Sequence, residues 1–133
     1  MWVTTRAVPR GMAALLASPY LGRLTVLEVS GHNLGDEEAL RLAASPHLAK
    51  LSALVLWDNR IGAAGASALT RSPHLAGLTA LDLTGNRVGA AGAFALATSP
   101  HLTGLTRLDL GGNDVGQASA EALRARFGSA LRL

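Results

Sequence analysis

Apolar and polar positions along this chain alternate in short stretches, and the stretches return at a fixed distance. Leu51-Ser-Ala-Leu54-Val-Leu56 has the alternation of a short, half-buried strand. Trp57-Asp58-Asn59-Arg60-Ile61-Gly62 predicts a turn after it. From about Ala63 to Arg71 the residues are Ala-rich, and Thr70 is the only β-branched one, which predicts a short helix. Ser72-Pro73 ends that helix, because a residue before proline is pushed out of the α region. His74-Leu75-Ala76-Gly77 then leads to Leu78, where the alternation begins again.

The whole unit recurs every 27 residues without a gap. Ser-Pro stands at Ser18-Pro19, Ser45-Pro46, Ser72-Pro73 and Ser99-Pro100. The same step links Leu24, Leu51, Leu78 and Leu105, then Leu27, Leu54, Leu81 and Leu108. The expected organisation is a single domain over 1–133, with repeats at 24–50, 51–77, 78–104 and 105–133. Residues 1–23 form an N-terminal segment and a half repeat, in which Arg10 to Ala17 is the helix and no strand precedes it. Met1 to Pro9 has no repeat match and either caps the first layer or is loose. Arg6 and Arg10 before an apolar stretch also suit a signal peptide, but the repeat already explains those residues.

Within each unit the pattern is Leu51/Leu54/Leu56/Asn59/Ile61, Leu78/Leu81/Leu83/Asn86/Val88 and Leu105/Leu108/Leu110/Asn113/Val115. The first copy, Leu24/Leu27/Val29/His32/Leu34, has His32 in place of Asn. The pattern resembles the leucine-rich repeat, and the helical half with Gly62/Gly65 and Gly89/Gly92 is similar to the ribonuclease-inhibitor-like subclass. The resemblance implies an α/β fold: a right-handed solenoid in a horseshoe arc, with a parallel sheet on the concave face and short helices on the convex face. It also implies a protein–protein interaction module. Stacking supplies the physical reason for the fold, since one unit cannot bury its own apolar face. Asn59, Asn86 and Asn113 are expected inside the turns, pairing with backbone groups left free at the strand ends.

Composition narrows the chemistry. Leu and Ala supply 25 residues each, while aromatics are 4%, which suits identical thin layers. Cysteine is absent, so disulfides and thiolate chemistry are excluded and a reducing, cytoplasmic setting is favoured. The formal charge of +3 is modest. Arg residues are scattered over strand, turn and helix without interleaved aromatics, so nucleic acid is not the expected partner. No apolar run approaches the ~20 residues of a membrane span.

The strand positions between leucines face a partner. They are Val26, Glu28 and Ser30; Ala53, Val55 and Trp57; Ala80, Asp82 and Thr84; and Arg107, Asp109 and Gly111. The candidate protein-binding residues are Trp57, Val55, Glu28, Asp58, Asp82, Arg107 and Asp109. Trp57 either faces a partner beside Val55 and Ala53, as an apolar spot, or folds over Arg60 or a turn. Glu28, Asp82 and Asp109 share a column that either is solvated or selects a basic surface, with Arg107 and Arg87 as possible counterions. His47, His74 and His101 form another column, read as structural rather than zinc-binding because Tyr20 takes the same place in the first copy. No catalytic set, metal site or cofactor site is expected: the glycine pairs lack a phosphate-binding pattern and give room for close turns. The rival to partner binding is a self-assembling structural unit that pairs through its ends, where the last repeat's strand offers an unpaired edge.

Overall fold

A computed structural model describes residues 2–4 and 9–133. Six strands form one parallel sheet in sequence order: β1 Trp2–Thr4, β2 Val26–Glu28, β3 Ala53–Val55, β4 Ala80–Asp82, β5 Arg107–Asp109 and β6 Leu131–Arg132. The helices that follow the strands are α1 Pro9–Leu16, α2 Asp36–Ala44, α3 Ala63–Arg71, α4 Gly89–Thr98 and α5 Gln117–Phe127. Strands in a sheet lie about 4.8 Å apart and helices pack at about 8–10 Å, so the sheet takes the inside of the curve. This is the leucine-ladder solenoid that the repeat predicts.

The core is a set of aligned ladders. Leu27, Leu54, Leu81 and Leu108 are buried from the strands, and Leu42, Leu69, Leu96 and Leu123 from the helices. Each Asn sits under its turn as expected. The Asn86 amide donates to the carbonyls of Leu56 and Leu83, both at 2.9 Å, and its Oδ1 accepts from the Ile61 N–H at 3.0 Å. Asn59 and Asn113 repeat the arrangement. The turn at His32 still forms, because its backbone N–H donates to Asn59. Two hydroxyl ladders join these. Ser52, Thr79 and Thr106 each donate to the carbonyl one repeat back. Ser72 and Ser99 of the Ser-Pro pairs donate to the carbonyls of Ala43 and Thr70, near the end of the preceding helix. Ser-Pro therefore both ends a helix and staples it to the one before.

Within the glycine pairs, Gly89 has φ 63° and nothing near the position a Cβ would take, as a turn glycine does, whereas Gly65 and Gly92 let helices approach. A Cβ on Gly92 would stand 3.2 Å from the Ala63 Cα and 3.2 Å from the Ala66 Cβ on α3. Gly65 is tighter, at 2.6 Å from Asp36 Oδ1, and that carboxylate accepts the N–H groups of Gly62 and Gly65 at the start of α3.

The two ends depart from the sequence reading. A strand does precede the first helix, and the tail does restart the sheet. β1 pairs with β2 (Trp2 opposite Val26), and β6 pairs with β5 (Leu131 opposite Leu108). These offsets are shorter than the 27-residue step of the interior pairs, so neither strand shows up in a search at that spacing. The edge expected on β5 is therefore covered, and the outer strand β6 has only two residues. Of Met1 to Pro9, the part outside β1 and α1 lies outside the described residues. At the far end Arg126 takes the place of a Ser-Pro serine, and its guanidinium donates to the carbonyls of Leu96, Ser99 and Leu102.

Candidate functional site

Strict register brings the concave residues into two columns. Val26, Ala53, Ala80 and Arg107 stand opposite one another in turn, and so do Glu28, Val55, Asp82, Asp109 and Arg132. Ala53 and Ala80 are short side chains between larger ones. Their neighbours leave a depression of about 210 Å³, lined by Val26, Ala53, Val55, Ala80, Leu81, Asp82 and Arg107. Its walls are mostly apolar, and its lining includes one acidic residue, Asp82, and one basic residue, Arg107.

Of the residues singled out from sequence, Val55, Asp82 and Arg107 line this depression. Glu28 is half-buried beside Val55, in the same column. Trp57 and Asp58 stand beyond the end of β3 and do not line the depression. Trp57 is 45% exposed, and the guanidinium–ring contacts among the described residues involve Tyr20 and Phe127, not Trp57. Asp58 has φ 54°, at a position held in the other repeats by Gly31, Gly85 and Gly112 with φ 73°, 68° and 70°. Asp tolerates this left-handed conformation better than most residues.

The acidic column is graded. Asp109 is almost fully buried and accepts from Arg107 Nε at 2.6 Å, while Arg132 Nε lies 3.7 Å away on its other oxygen. The hydrogen bond to Asp109, and then its charge, hold the Arg107 guanidinium above its ordinary value. Asp82 accepts the Thr84 N–H at 2.9 Å. Glu28 and Asp82 make no ion pair among the described residues, and neither does Arg87. Acidic character thus gathers toward β2 and β4, and the β5–β6 end carries two arginines around one carboxylate.

Val26, Ala53 and Ala80 are on the concave rows expected from sequence but not among the candidate binding residues, and Arg132 is in neither. The first three were legible as a run of small residues closed by Val26 and Arg107. Arg132 was not, because its strand lies off the repeat step. In the histidine column, His47 is exposed while His74 and His101 are half-buried. Among the described residues no three His, Asp or Glu side chains converge as a metal site would require.

The leucine-rich repeat profile matches residues 24–43, 47–69, 76–97 and 99–123, more than half of the chain. The chain belongs to the leucine-rich repeat family. Comparison with curated proteins gives no match. The four matched segments each carry one strand and one helix of this leucine-rich repeat protein, from β2 and α2 to β5 and α5. No helix of the described residues is long and apolar enough to cross a membrane.

Proposed function

We propose that this leucine-rich repeat protein binds a partner protein reversibly through its concave sheet. The observation that carries the reading is the mostly apolar depression over β2–β5, whose lining includes Asp82 and Arg107. A site that seats an apolar side chain and fixes its orientation with a few polar groups has this composition. Trp57 and Asp58 extend the surface past the strand ends, and Glu28 and Asp82 favour a basic group on the partner. Asp109 positions Arg107 rather than meeting the partner itself. The reading involves no catalytic step. We also infer the ribonuclease-inhibitor-like subclass from the α-helix in each repeat, and a cytoplasmic setting from the absence of cysteine.

The test is affinity capture from host lysate with wild type, a concave variant (Val55→Glu with Asp82→Arg) and a convex control (Ala91→Glu). Circular dichroism confirms that all three fold. A protein held by wild type and control but lost by the concave variant is the expected result. Equal capture by all three overturns the assignment.

A further inference from the structure

Trp57 holds a place on the concave side that the other repeats give to Ser30, Thr84 and Gly111, and the indole is 45% exposed. The ladder runs on past β3: the Trp57 carbonyl accepts the Gly31 N–H, and the Asp58 N–H donates to Thr84. Strand alternation therefore keeps Trp57 on the face of Val55, about 6.6 Å further along the chain. Glu28 on β2 and Asp82 on β4 flank Val55, which stands uncharged between them. Those two carboxylates are two strands apart, about 9.6 Å. From each of them Trp57 is one strand across and two residues on, a diagonal of about 8 Å that long side chains span. Asp58 adds a third carboxylate directly after the indole. None of the three joins an ion pair among the described residues, and Arg60 and Arg87 in the adjoining turns pair with none of them. Asp109, the remaining acid of the column, is already enclosed by Arg107 and Arg132. The unmatched negative charge of the face thus surrounds its apolar spot at Val55 and Trp57.

A purely apolar partner would strip water from those carboxylates and return nothing to them, which costs binding energy. A guanidinium meets every feature of the spot. It stacks on an indole face, its apolar stem lies along Val55, and its fork of donors serves carboxylates on two sides at once. An ammonium is a compact point charge without that fork. In an extended segment, side chains two positions apart share a face at about 6.6 Å, which is the step from Val55 to Trp57. An arginine over Trp57 therefore brings a residue two positions away to the mostly apolar depression beside Val55. Arg107 stands at the β5 side of that depression, away from Trp57, with its charge opposed by Asp109. We propose that the concave face takes an extended segment of another protein, with an arginine on Trp57 between Glu28 and Asp82 and an aliphatic residue two positions away in the depression. That assignment rests on concave binding and adds the chemistry of the partner.

The probes are acetyl-Leu-Ala-Arg-amide, the reversed acetyl-Arg-Ala-Leu-amide, and both peptides with citrulline, which keeps the shape of arginine without its charge. Titrations of the full chain are followed by NMR at the Trp57 indole N–H, assigned with Trp57→Phe, and at the Ala53 and Ala80 amides. At least one arginine peptide is expected to shift all three saturably, and its citrulline form to bind at least tenfold more weakly. Glu28→Gln with Asp82→Asn should lower the arginine peptide to the citrulline level. Asparagine still offers an oxygen to the Thr84 N–H, so that turn is kept, and circular dichroism checks the fold. Equal binding of arginine and citrulline peptides overturns the proposal. So does an arginine peptide that leaves the Trp57 indole unmoved, or one indifferent to the double variant. Lysate capture judges concave binding separately. A partner lost with Val55→Glu and Asp82→Arg but held by Glu28→Gln with Asp82→Asn leaves concave binding standing and removes the arginine.

Discussion

Asn86 illustrates how a single side chain can belong to two layers. Its amide closes its own strand end at Leu83 and the previous one at Leu56, while its oxygen receives Ile61. Asn86→Ala leaves those buried groups unpaired, and at about 1–3 kcal/mol for a buried orphan the summed cost is about 2–4 kcal/mol. Urea denaturation of the variant should show that loss, and a change within 0.5 kcal/mol, the ordinary range of surface substitutions, would refute the role. The Asn positions and their task were legible because a buried amide under a turn has few other uses. The site was legible only in part. Trp57 drew attention as a large side chain in a strand row, but the depression is made by what Ala53 and Ala80 lack. A missing side chain gives a weaker signal in sequence than a present one. Asp109 looked like a partner contact because Arg132, which with Arg107 encloses it, lies off the repeat step.

At the scale of the helix, spacing is decided by Gly92 and Gly65 rather than by the leucines. An alanine at 92 gains about 1 kcal/mol of helix propensity. It would also press on the backbone of α3 at Ala63, which no rotamer change can relieve, and overpacking costs about 1–3 kcal/mol. Gly92→Ala is therefore expected to destabilise by about 1 kcal/mol in net terms, and by no more than about 2. Gly104→Ala serves as the control, since its nearest neighbour, the Leu78 carbonyl oxygen at 3.5 Å, allows ordinary contact. Thermal melting of the pair checks this: equal midpoints would show that the helices have room to spare. The sequence reading gave these glycines to close turns, since spacing alone cannot distinguish a glycine needed for its φ from one needed for a neighbour's approach. The Ser-Pro pair shows the same limit. Its helix-ending role follows from local sterics, whereas the bond from Ser99 to Thr70 needs the preceding layer in place.

Across the whole molecule, the interior obeys one rule and the ends another. β2 to β5 pair at a constant step, while β1 and β6 join at shorter offsets, and Arg126 closes the last helix ends. Any interior copy therefore meets the same neighbours. Inserting a second copy of residues 51–77 after Gly77 should give a folded, longer array with a higher urea midpoint and a steeper transition, since the slope follows the surface exposed on unfolding. Equilibrium urea curves followed by circular dichroism test this; a lower midpoint would mean that the layers are not interchangeable.

That constant step also makes the concave face a measuring stick. Each copy inserted after Gly77 moves the arginine pair at β5–β6, together with Asp82 on β4, about 4.8 Å further from Glu28 on β2. It also adds a strand without disturbing either end. The distance between the two charged regions can thus change only in whole steps, by gaining or losing copies of one DNA segment. A partner that bridges both regions would have to be matched to the copy number of its receptor.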